Sequence, residues 1–307
     1  MHFRRMKDII ASKVMLVLTC GSVSLVFLIA IGLFLKSRAI LAAKPLSALF
    51  FSSIWRPMQG EFGFYPFIIG TIWVTAVAMV IAVPLCLLTS IYLSEYARKR
   101  TRDWIKPVLD VLAGISPVVY GVWGVLAIVP FVGQYLMPFL QSTFGFIPIF
   151  QSPNPTGFGI LSGGIILSIM VFPVIISVSE EVMRSVPFEV REASLALGAT
   201  KWQTVKHTVL RKAMPGIIAA IILGLSRAFG ETMAVLMVVG NVAQVPKSLF
   251  DAAYPLPALI ANNYGEMMSI PLYDSALMFA ALILLGVTVL FNIVAWTILL
   301  RIQRELV

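Results

Sequence analysis

Charged residues are scarce in this sequence. Only 12% of its 307 residues are Asp, Glu, Lys or Arg, whereas a soluble domain carries about 25%. Hydrophobic residues make up 59% of the chain, and the mean hydropathy is +0.95. These values exclude a water-soluble globule and a disordered chain. The two cysteines, Cys20 and Cys86, lie in apolar runs without a partner motif, which excludes a disulfide-stapled fold.

Catalytic and metal-binding motifs are also missing. The sequence contains no GxxxxGK[ST] phosphate loop, no HExxH motif and no Cys/His set with metal-ligand spacing. The two histidines, His2 and His207, both lie outside the apolar runs. We therefore expect no catalytic residue, no cofactor and no metal site, and any ATP hydrolysis linked to this chain should take place on another subunit.

Long apolar runs are what the sequence has in abundance. A helix of about 20 apolar residues crosses the ~30 Å hydrocarbon core of a bilayer. Six runs reach this length, at Val14–Leu35, Phe67–Leu93, Leu109–Val132, Gly159–Ser179, Gly216–Val239 and Ala276–Leu300. The sequence thus predicts an all-α, polytopic membrane protein with about six transmembrane helices.

The distribution of basic residues predicts the orientation of these helices. Seventeen of the 23 Lys and Arg residues lie in the two termini and the second and fourth loops. Five lie in the other loops, four of them in the first loop, and the remaining one is Arg227 inside the fifth run. Because cytoplasmic loops carry the excess of Lys and Arg, both termini are predicted to be cytoplasmic in a multi-pass cell-membrane protein.

Two of the remaining loops have unusual compositions. Residues 133–158 contain no charged side chain, which suits an interfacial loop or a docking surface for a partner. Residues 242–274 combine four prolines with short apolar stretches, which is typical of a re-entrant or an interfacial segment. In the third run, Pro117 is expected to bend the helix.

The fourth loop carries a helix–turn–helix pattern. Pro187 is expected to start a first helix, Gly198 to stop it, and Thr200 with Gln203 to form a capping box for a second. Apolar residues at helical spacing mark one face of each helix: Val190, Ala193 and Leu197, then Trp202, Val205 and Val209. An amphipathic loop lying on lipid is the alternative. A DNA-binding role is disfavoured, because a short loop between two spans has no core to fix a recognition helix, so no nucleic acid is expected.

Two charged residues lie within the fifth run. Arg227 and Glu231 are four residues apart, which would place both on one face of a helix. A charge in the middle of a membrane costs about 2.5–3.5 kcal/mol on insertion scales, so such residues face other helices or an aqueous path. Arginine binds phosphate or carboxylate through its planar donors. The pair is therefore predicted to belong to an anion path, with a structural ion pair as the alternative.

The fourth loop resembles the cytoplasmic signature of bacterial ABC importer permeases, which runs EAA, three residues, Gly, then nine residues before I-x-L-P. Its counterparts here are Glu192-Ala193-Ser194, Gly198 and Leu210, whereas Ser194, Thr208 and Arg211 depart from the pattern. The resemblance implies a type I ABC importer permease fold. It also implies that Glu192, Ala193, Ser194, Gly198 and Leu210 couple the chain to an ATPase.

The fifth run makes the resemblance more specific, because it points to one family of permeases. Its string from Gly224 to Ala234 is similar to the phosphate-specific permease family PstC, as are the segments around Phe62–Gly70, Ile91–Tyr96 and Leu112–Gly121. Membership would imply phosphate as substrate, a sister permease (PstA), two copies of an ATPase (PstB) and an external phosphate-binding protein (PstS). It would also imply alternating access, with Arg227 attracting the anion and Glu231 setting the position of the arginine.

These observations divide the chain into an N-terminal segment, 1–66, a permease domain, 67–300, with a coupling loop at 180–214, and a cytoplasmic tail, 301–307. Three alternatives stay open at this point: a permease for another oxyanion such as sulfate or molybdate, a membrane-embedded enzyme, and a non-transporting scaffold or sensor. The missing catalytic residues disfavour the enzyme.

Overall fold

The computed structural model describes residues 2–152, 154–265 and 270–305. The N-terminal half of the chain is mostly helical. It contains α1 (His2–Lys36), α2 (Arg38–Ala43), α3 (Leu46–Phe51), β1 (Trp55–Arg56), β2 (Glu61–Phe62), α4 (Tyr65–Ile91), α5 (Lys99–Gly114), α6 (Pro117–Trp123), α7 (Val129–Phe131) and α8 (Met137–Phe144). Between β1 and β2 lies a short 3-10 turn, Pro57–Gln59. Three π-helical turns extend or join these helices, at Tyr92–Tyr96, Gly124–Ile128 and Val132–Leu136.

The C-terminal half starts with a 3-10 turn at Pro148–Phe150. It then contains α9 (Ile160–Ser185), α10 (Phe188–Ala196), α11 (Lys201–Thr204), α12 (Leu210–Phe229), α13 (Met233–Val238), α14 (Leu256–Asn263) and α15 (Pro271–Glu305). A π-helical turn, Val205–Val209, joins α11 to α12. The predicted tail, 301–307, and the predicted segment 242–274 both include positions outside the described residues.

Within the described residues, six helices are long and apolar enough to cross a membrane. They are Ile10–Lys36, Tyr65–Tyr96, Pro117–Phe144, Ile160–Ser185, Lys201–Phe229 and Leu272–Val294. The prediction of an all-α protein with six spans is thereby confirmed. In the same residues, β1 and β2 form the one sheet, an antiparallel pair.

The third span lies further along the chain than its hydropathy predicts. Leu109 belongs to α5, and the chain is extended at Ile115 and Ser116 before a new helix begins at Pro117. Because a residue before proline avoids helical geometry, Ser116 interrupts the helix, and proline fits the first helical position of the next one. Pro117 therefore starts a span rather than bending one, and this span continues to Phe144.

The centre of the fold is α9, which is the most deeply buried span. Of its most apolar window, 72% is buried, compared with none for Ile10–Lys36 of α1. Its main neighbours are α4 and α12. On α4, small or β-branched residues recur at every fourth position and face this core: Val74, Ala78, Ala82 and Cys86. Such a row lets two helix backbones approach closely in lipid.

The first loop folds into a compact cap instead of an open loop. Residues 37–64 form α2, α3 and the two short strands, and they bury Ile40, Leu49 and Phe64 completely. The hydroxyl of Ser275 on α15 accepts a hydrogen bond from the Ile40 backbone N–H at 3.0 Å. Edge-to-face aromatic contacts surround Trp55 and involve Phe62, Phe64, Phe67 and Tyr273. The cap is thereby fixed to α4 and α15.

The two loops of unusual composition also contain more structure than predicted. Most of the first, 133–158, is helical, because α8 extends to Phe144 and a 3-10 turn follows at Pro148–Phe150. The second, 242–274, contains α14, which packs against α4 and α15. Of α14, Leu256 and Leu259 are completely buried. This helix has eight residues, too few to cross a bilayer.

Gly164 lies at a close approach of α9 to α4, which leads to a test of this packing. A Cβ at Gly164 would lie 2.4 Å from Cγ1 and 2.9 Å from Cβ of Val77. Valine is stiff at χ1, so Gly164→Ala should force the helices apart at a cost of about 1–3 kcal/mol. We expect a lower midpoint of thermal unfolding in detergent.

Gly286→Ala on α15 is the matched control, because no heavy atom lies within 4 Å of a Cβ built there. Both variants gain the same helix propensity, about 1 kcal/mol. A midpoint for Gly164→Ala that equals or exceeds that of Gly286→Ala would contradict the proposed close approach.

Candidate functional site

The fifth span ends in a break of the helix. Helix α12 ends at Phe229, and α13 begins at Met233. Between them, the Glu231 carboxylate accepts a hydrogen bond from the Thr232 backbone N–H at 3.1 Å. The Thr232 hydroxyl donates to the Gly230 carbonyl at 3.3 Å. These side chains therefore form hydrogen bonds with backbone groups that would pair with each other in a continuous helix.

This break corrects the prediction of a single helix over 216–239. The helix starts earlier, at Lys201, and stops at Phe229. Arg227 lies in its last turn, whereas Glu231 lies beyond its end, so the two do not share one helical face. Hydropathy does not detect the break, because the residues on both sides of it are apolar. The polar residues within the break form hydrogen bonds with backbone groups that no longer pair within a helix.

Glu231 lines a small cavity of about 10 Å³ between α4, α9, the fifth span and α14. Thr71 and Thr75 of α4 line this cavity, together with Pro255 and Pro257 before and within α14. The Thr71 hydroxyl donates to the Phe67 carbonyl at 2.7 Å and accepts from the Leu256 backbone N–H at 2.9 Å. The N-terminal part of α4, the break in the fifth span and α14 therefore meet around Glu231.

Arg227 is half-buried near the same break. None of the three salt bridges found among the described residues involves Arg227 or Glu231. The guanidinium lies within electrostatic reach of Tyr120 in the third span. Next to it, the Ser226 hydroxyl donates to Asn292 of α15 at 3.4 Å. The alternative prediction, a structural ion pair between helices, has no counterpart among the salt bridges of the described residues in this single chain.

The helix–turn–helix predicted for the fourth loop is confirmed. Helix α10 begins after Pro187, and Gly198 adopts a left-handed conformation with φ of +85°. This conformation favours glycine, since side chains on other residues strain it. Thr200 caps the next helix, and its hydroxyl and the Gln203 side chain form both bonds of a capping box. The second helix continues without a stop into the fifth span.

The two predicted apolar faces have different surroundings. On the second helix, Val205 and Val209 are buried, although Trp202 stays half-exposed. The first helix leaves its face open, since Ala193 is exposed and Leu197 is 90% exposed. Val190 of the same face is half-buried, and no neighbouring element within the described residues covers Ala193 and Leu197.

The signature residues of the coupling loop occupy distinct positions. Glu192 and Ala193 point to the exposed side of α10. Ser194, where the signature has alanine, shares a hydrogen bond with the Thr204 hydroxyl at 3.0 Å. Leu210 packs in a small core with Met183 and Val209. Ser194, which departs from the signature, therefore ties α10 to the helix that follows it.

A second cavity of about 870 Å³ opens at the opposite end of the molecule. It is lined by Asn154, Asn241, Gln244, Lys247 and other residues of the 150–158 and 237–252 segments. Asn241 has a left-handed φ of +53° and donates to the Leu236 carbonyl at 2.8 Å, which closes the end of α13. Its side-chain oxygen is buried and has no partner within the described residues.

Sequence reasoning missed two ion pairs between distant segments, Arg191–Glu95 and Lys106–Glu180. Arg191 contacts Glu95 across 96 positions of the chain, and no local pattern links the two. Sequence spacing can predict partners on one helix, but not these pairs. In the part of the chain that the structure describes, no group of three or more His, Cys, Asp and Glu could hold a metal ion.

Comparisons with known proteins agree on one family. Residues 82–304 match the model of the binding-protein-dependent transport system inner membrane component. The phosphate transport system permease protein PstC of Xylella fastidiosa is 38% identical, over 84% of this chain and 80% of its own. PstC of Mesorhizobium japonicum is 36% identical, over 90% and 85%.

A solved structure shows the fold as well. A chain of the MetNI methionine ABC transporter, in an inward-facing conformation, aligns with a TM-score of 0.53 and 17% identity. The alignment covers 81% of this chain and 99% of that one. Together with the six spans, it identifies a type I ABC importer permease fold. This multi-pass membrane chain therefore belongs to the family of binding-protein-dependent transport system inner membrane components, and within it to the PstC permeases.

Proposed function

We propose that this chain is a permease subunit of an ATP-driven importer of inorganic phosphate. The observation that carries the proposal is the similarity to phosphate transport permeases, at 38% identity over 84% of the chain. A sister permease of the PstA type would complete the translocation path. The two permeases would open alternately to the outside and to the cytoplasm.

Arg227 is the residue that attracts phosphate. It lies in the last turn of α12, beside the break in an otherwise apolar span, and none of the salt bridges in the described residues neutralises it. Charged residues within membrane spans are rare and mark substrate or ion pathways. The planar guanidinium of Arg227 can donate two parallel hydrogen bonds to phosphate oxygens. These properties support a role in substrate passage over a purely structural one.

Glu231 limits how tightly phosphate is held. Its carboxylate caps the Thr232 backbone N–H, which keeps the helix broken beside Arg227. A negative charge close to the path also opposes the binding of an anion. Because a site that bound phosphate too firmly could not release it, this opposition assists transport.

The partner subunits attach at opposite ends of the chain. The exposed apolar side chains of α10 and the turn after it, Phe188, Leu195 and Leu197, provide a surface for the ATPase, two copies of PstB. Glu192, Ala193, Ser194, Gly198 and Leu210 belong to this coupling region. At the other end, the 870 Å³ cavity receives the external phosphate-binding protein, PstS. ATP hydrolysis takes place on the ATPase.

The chain divides into three functional segments, with the limits predicted from the sequence. Residues 1–66 form an anchor and an outer cap, 67–300 form the permease domain with its coupling loop at 180–214, and 301–307 form a cytoplasmic tail. The family match over 82–304 supports a conserved permease domain in the second of these.

The proposed orientation leads to a direct test. With both termini in the cytoplasm, green fluorescent protein fused to the C-terminus should fluoresce, and alkaline phosphatase fused there should be inactive. Fusion after Gly157, in the third loop, which is predicted to lie outside, should give the opposite results. Active phosphatase at the C-terminus would overturn the orientation.

Arg227→Ala tests the proposed role in transport. The measurement is ATP-dependent uptake of radiolabelled phosphate by vesicles that contain the complete importer. Uptake should fall about tenfold or more, since hydrogen bonds to charged groups contribute about 1.5–3 kcal/mol. ATP hydrolysis and assembly of the complex should persist.

Arg56→Ala is the matched control, because Arg56 is an exposed arginine outside the membrane spans. It should leave uptake unchanged. Normal uptake by Arg227→Ala would contradict the role of this arginine. Competition by sulfate or molybdate at concentrations similar to those of phosphate would favour a permease for another oxyanion.

A further inference from the structure

Arg191 of α10 forms a forked ion pair with Glu95. Its Nη2 lies 2.9 Å from Glu95 Oε1, and its Nε donates to Oε2 at 3.4 Å. Both side chains are largely buried, with 15% of Arg191 and 8% of Glu95 exposed. Glu95 belongs to the π-helical turn that extends α4 at its cytoplasmic end. The pair therefore joins the coupling loop directly to α4.

The same guanidinium also holds the end of α9. It donates to the Met183 carbonyl at 2.8 Å and to the Val186 carbonyl. Carbonyls at a helix C-terminus lack partners within the helix, so these bonds satisfy groups that would otherwise be left open. The Ser94 hydroxyl donates to Glu95 Oε1 at 2.9 Å and fixes the carboxylate. One arginine thus connects three elements.

This pair differs from the other ion pairs of the cytoplasmic region. Arg184 of α9 and Lys106 of α5 both contact Glu180 of α9, at 3.5 and 3.2 Å, and these basic side chains are 44% and 49% exposed although Glu180 is buried. Each contact joins one nitrogen on a solvent-screened side chain to the carboxylate, which is weaker than a forked pair. A buried, forked pair is rigid, and removing one partner leaves an uncompensated buried charge. Such a pair is suited to transmit a displacement.

The opposite end of α4 reaches the candidate substrate path. Helix α4 is continuous from Tyr65 to Ile91, with Pro84 inside it, and so spans about 40 Å at 1.5 Å per residue. Near its outer end, Thr71 and Thr75 line the same cavity as Glu231. A movement applied at Glu95 would therefore change the position of these threonines relative to Glu231.

We propose that Arg191 and Glu95 are positioning residues that transmit movement of the coupling helix α10 to α4, and through α4 to the cavity around Glu231. This inference rests on the proposed function, because it assumes an ATPase that moves α10. It assigns to two residues outside the coupling signature a role in linking ATP hydrolysis to opening of the path.

The first test measures phosphate transported per ATP hydrolysed by the complete importer in liposomes. Arg191→Ala and Glu95→Gln should each lower this ratio about fivefold or more, the lower end of the range usual for coupling between sites. ATP hydrolysis itself should continue. The double variant should be no worse than the more severe single variant, since both remove one link.

Arg184→Ala is the control for this test, since it removes an arginine–carboxylate pair within a single helix. Its ratio should stay at the wild-type value. An unchanged ratio in assembled Arg191→Ala and Glu95→Gln complexes would overturn the proposal. The same conclusion would follow if Arg184→Ala lowered the ratio as much as they do.

A second measurement does not depend on the transported substrate. Spin labels are placed on Glu189→Cys in α10 and Leu88→Cys in α4, both exposed positions, after Cys20→Ser and Cys86→Ala. With the pair intact, the distance between labels should be the same in nucleotide-free and ATP-bound complexes. With Arg191→Ala added, ATP should change it.

The two measurements separate the two proposals. If the wild-type complex fails to transport phosphate but the spin-label distances behave as expected, the assigned substrate is wrong and the link stands. A distance that already changes with ATP in the wild type, or that Arg191→Ala leaves unaffected, would overturn the link whatever the substrate.

Discussion

Lipid offers no partner for a free backbone N–H or C=O, and this constraint decides where the chain can leave helical geometry. The fifth span breaks only where Glu231 and Thr232 supply side-chain partners for the backbone. One side of the break packs against α4 and the prolines around α14, whereas Gly230 and Met233 are exposed on the single chain. In the same way, the third span starts at Pro117, whose missing N–H would have no partner at that position.

Close packing around α9 makes this shielding feasible. The small residues on α4 and the glycines on α9 bring the two backbones together, and α12 packs on the same helix. The charged residues lie at the edges of this core. Arg227 and Glu231 are found at the break, and Glu95 and Arg191 lie where the spans meet the coupling loop.

The sequence predicts the number of spans and the coupling loop well, because both depend on local patterns. Gly198 and Thr200 define the turn and the cap, and the structure has both. Boundaries in the third and fifth spans are wrong, since hydropathy measures apolar content and not helix continuity. The cap made by residues 37–64 and the pairing of Arg191 with Glu95 depend on contacts between distant parts of the chain, which no local pattern encodes.

The coupling helix is tied to the membrane domain at two points. Arg191 joins it to α4, and the Ser194–Thr204 hydrogen bond joins it to the helix that becomes the fifth span. Both of these helices lead to the same cavity, since α4 contributes two threonines and the fifth span ends just before Glu231. A displacement of α10 would therefore reach the cavity from two sides. Two rigid connections that converge on one cavity restrict its movement more than one connection would, which favours a path with two defined states.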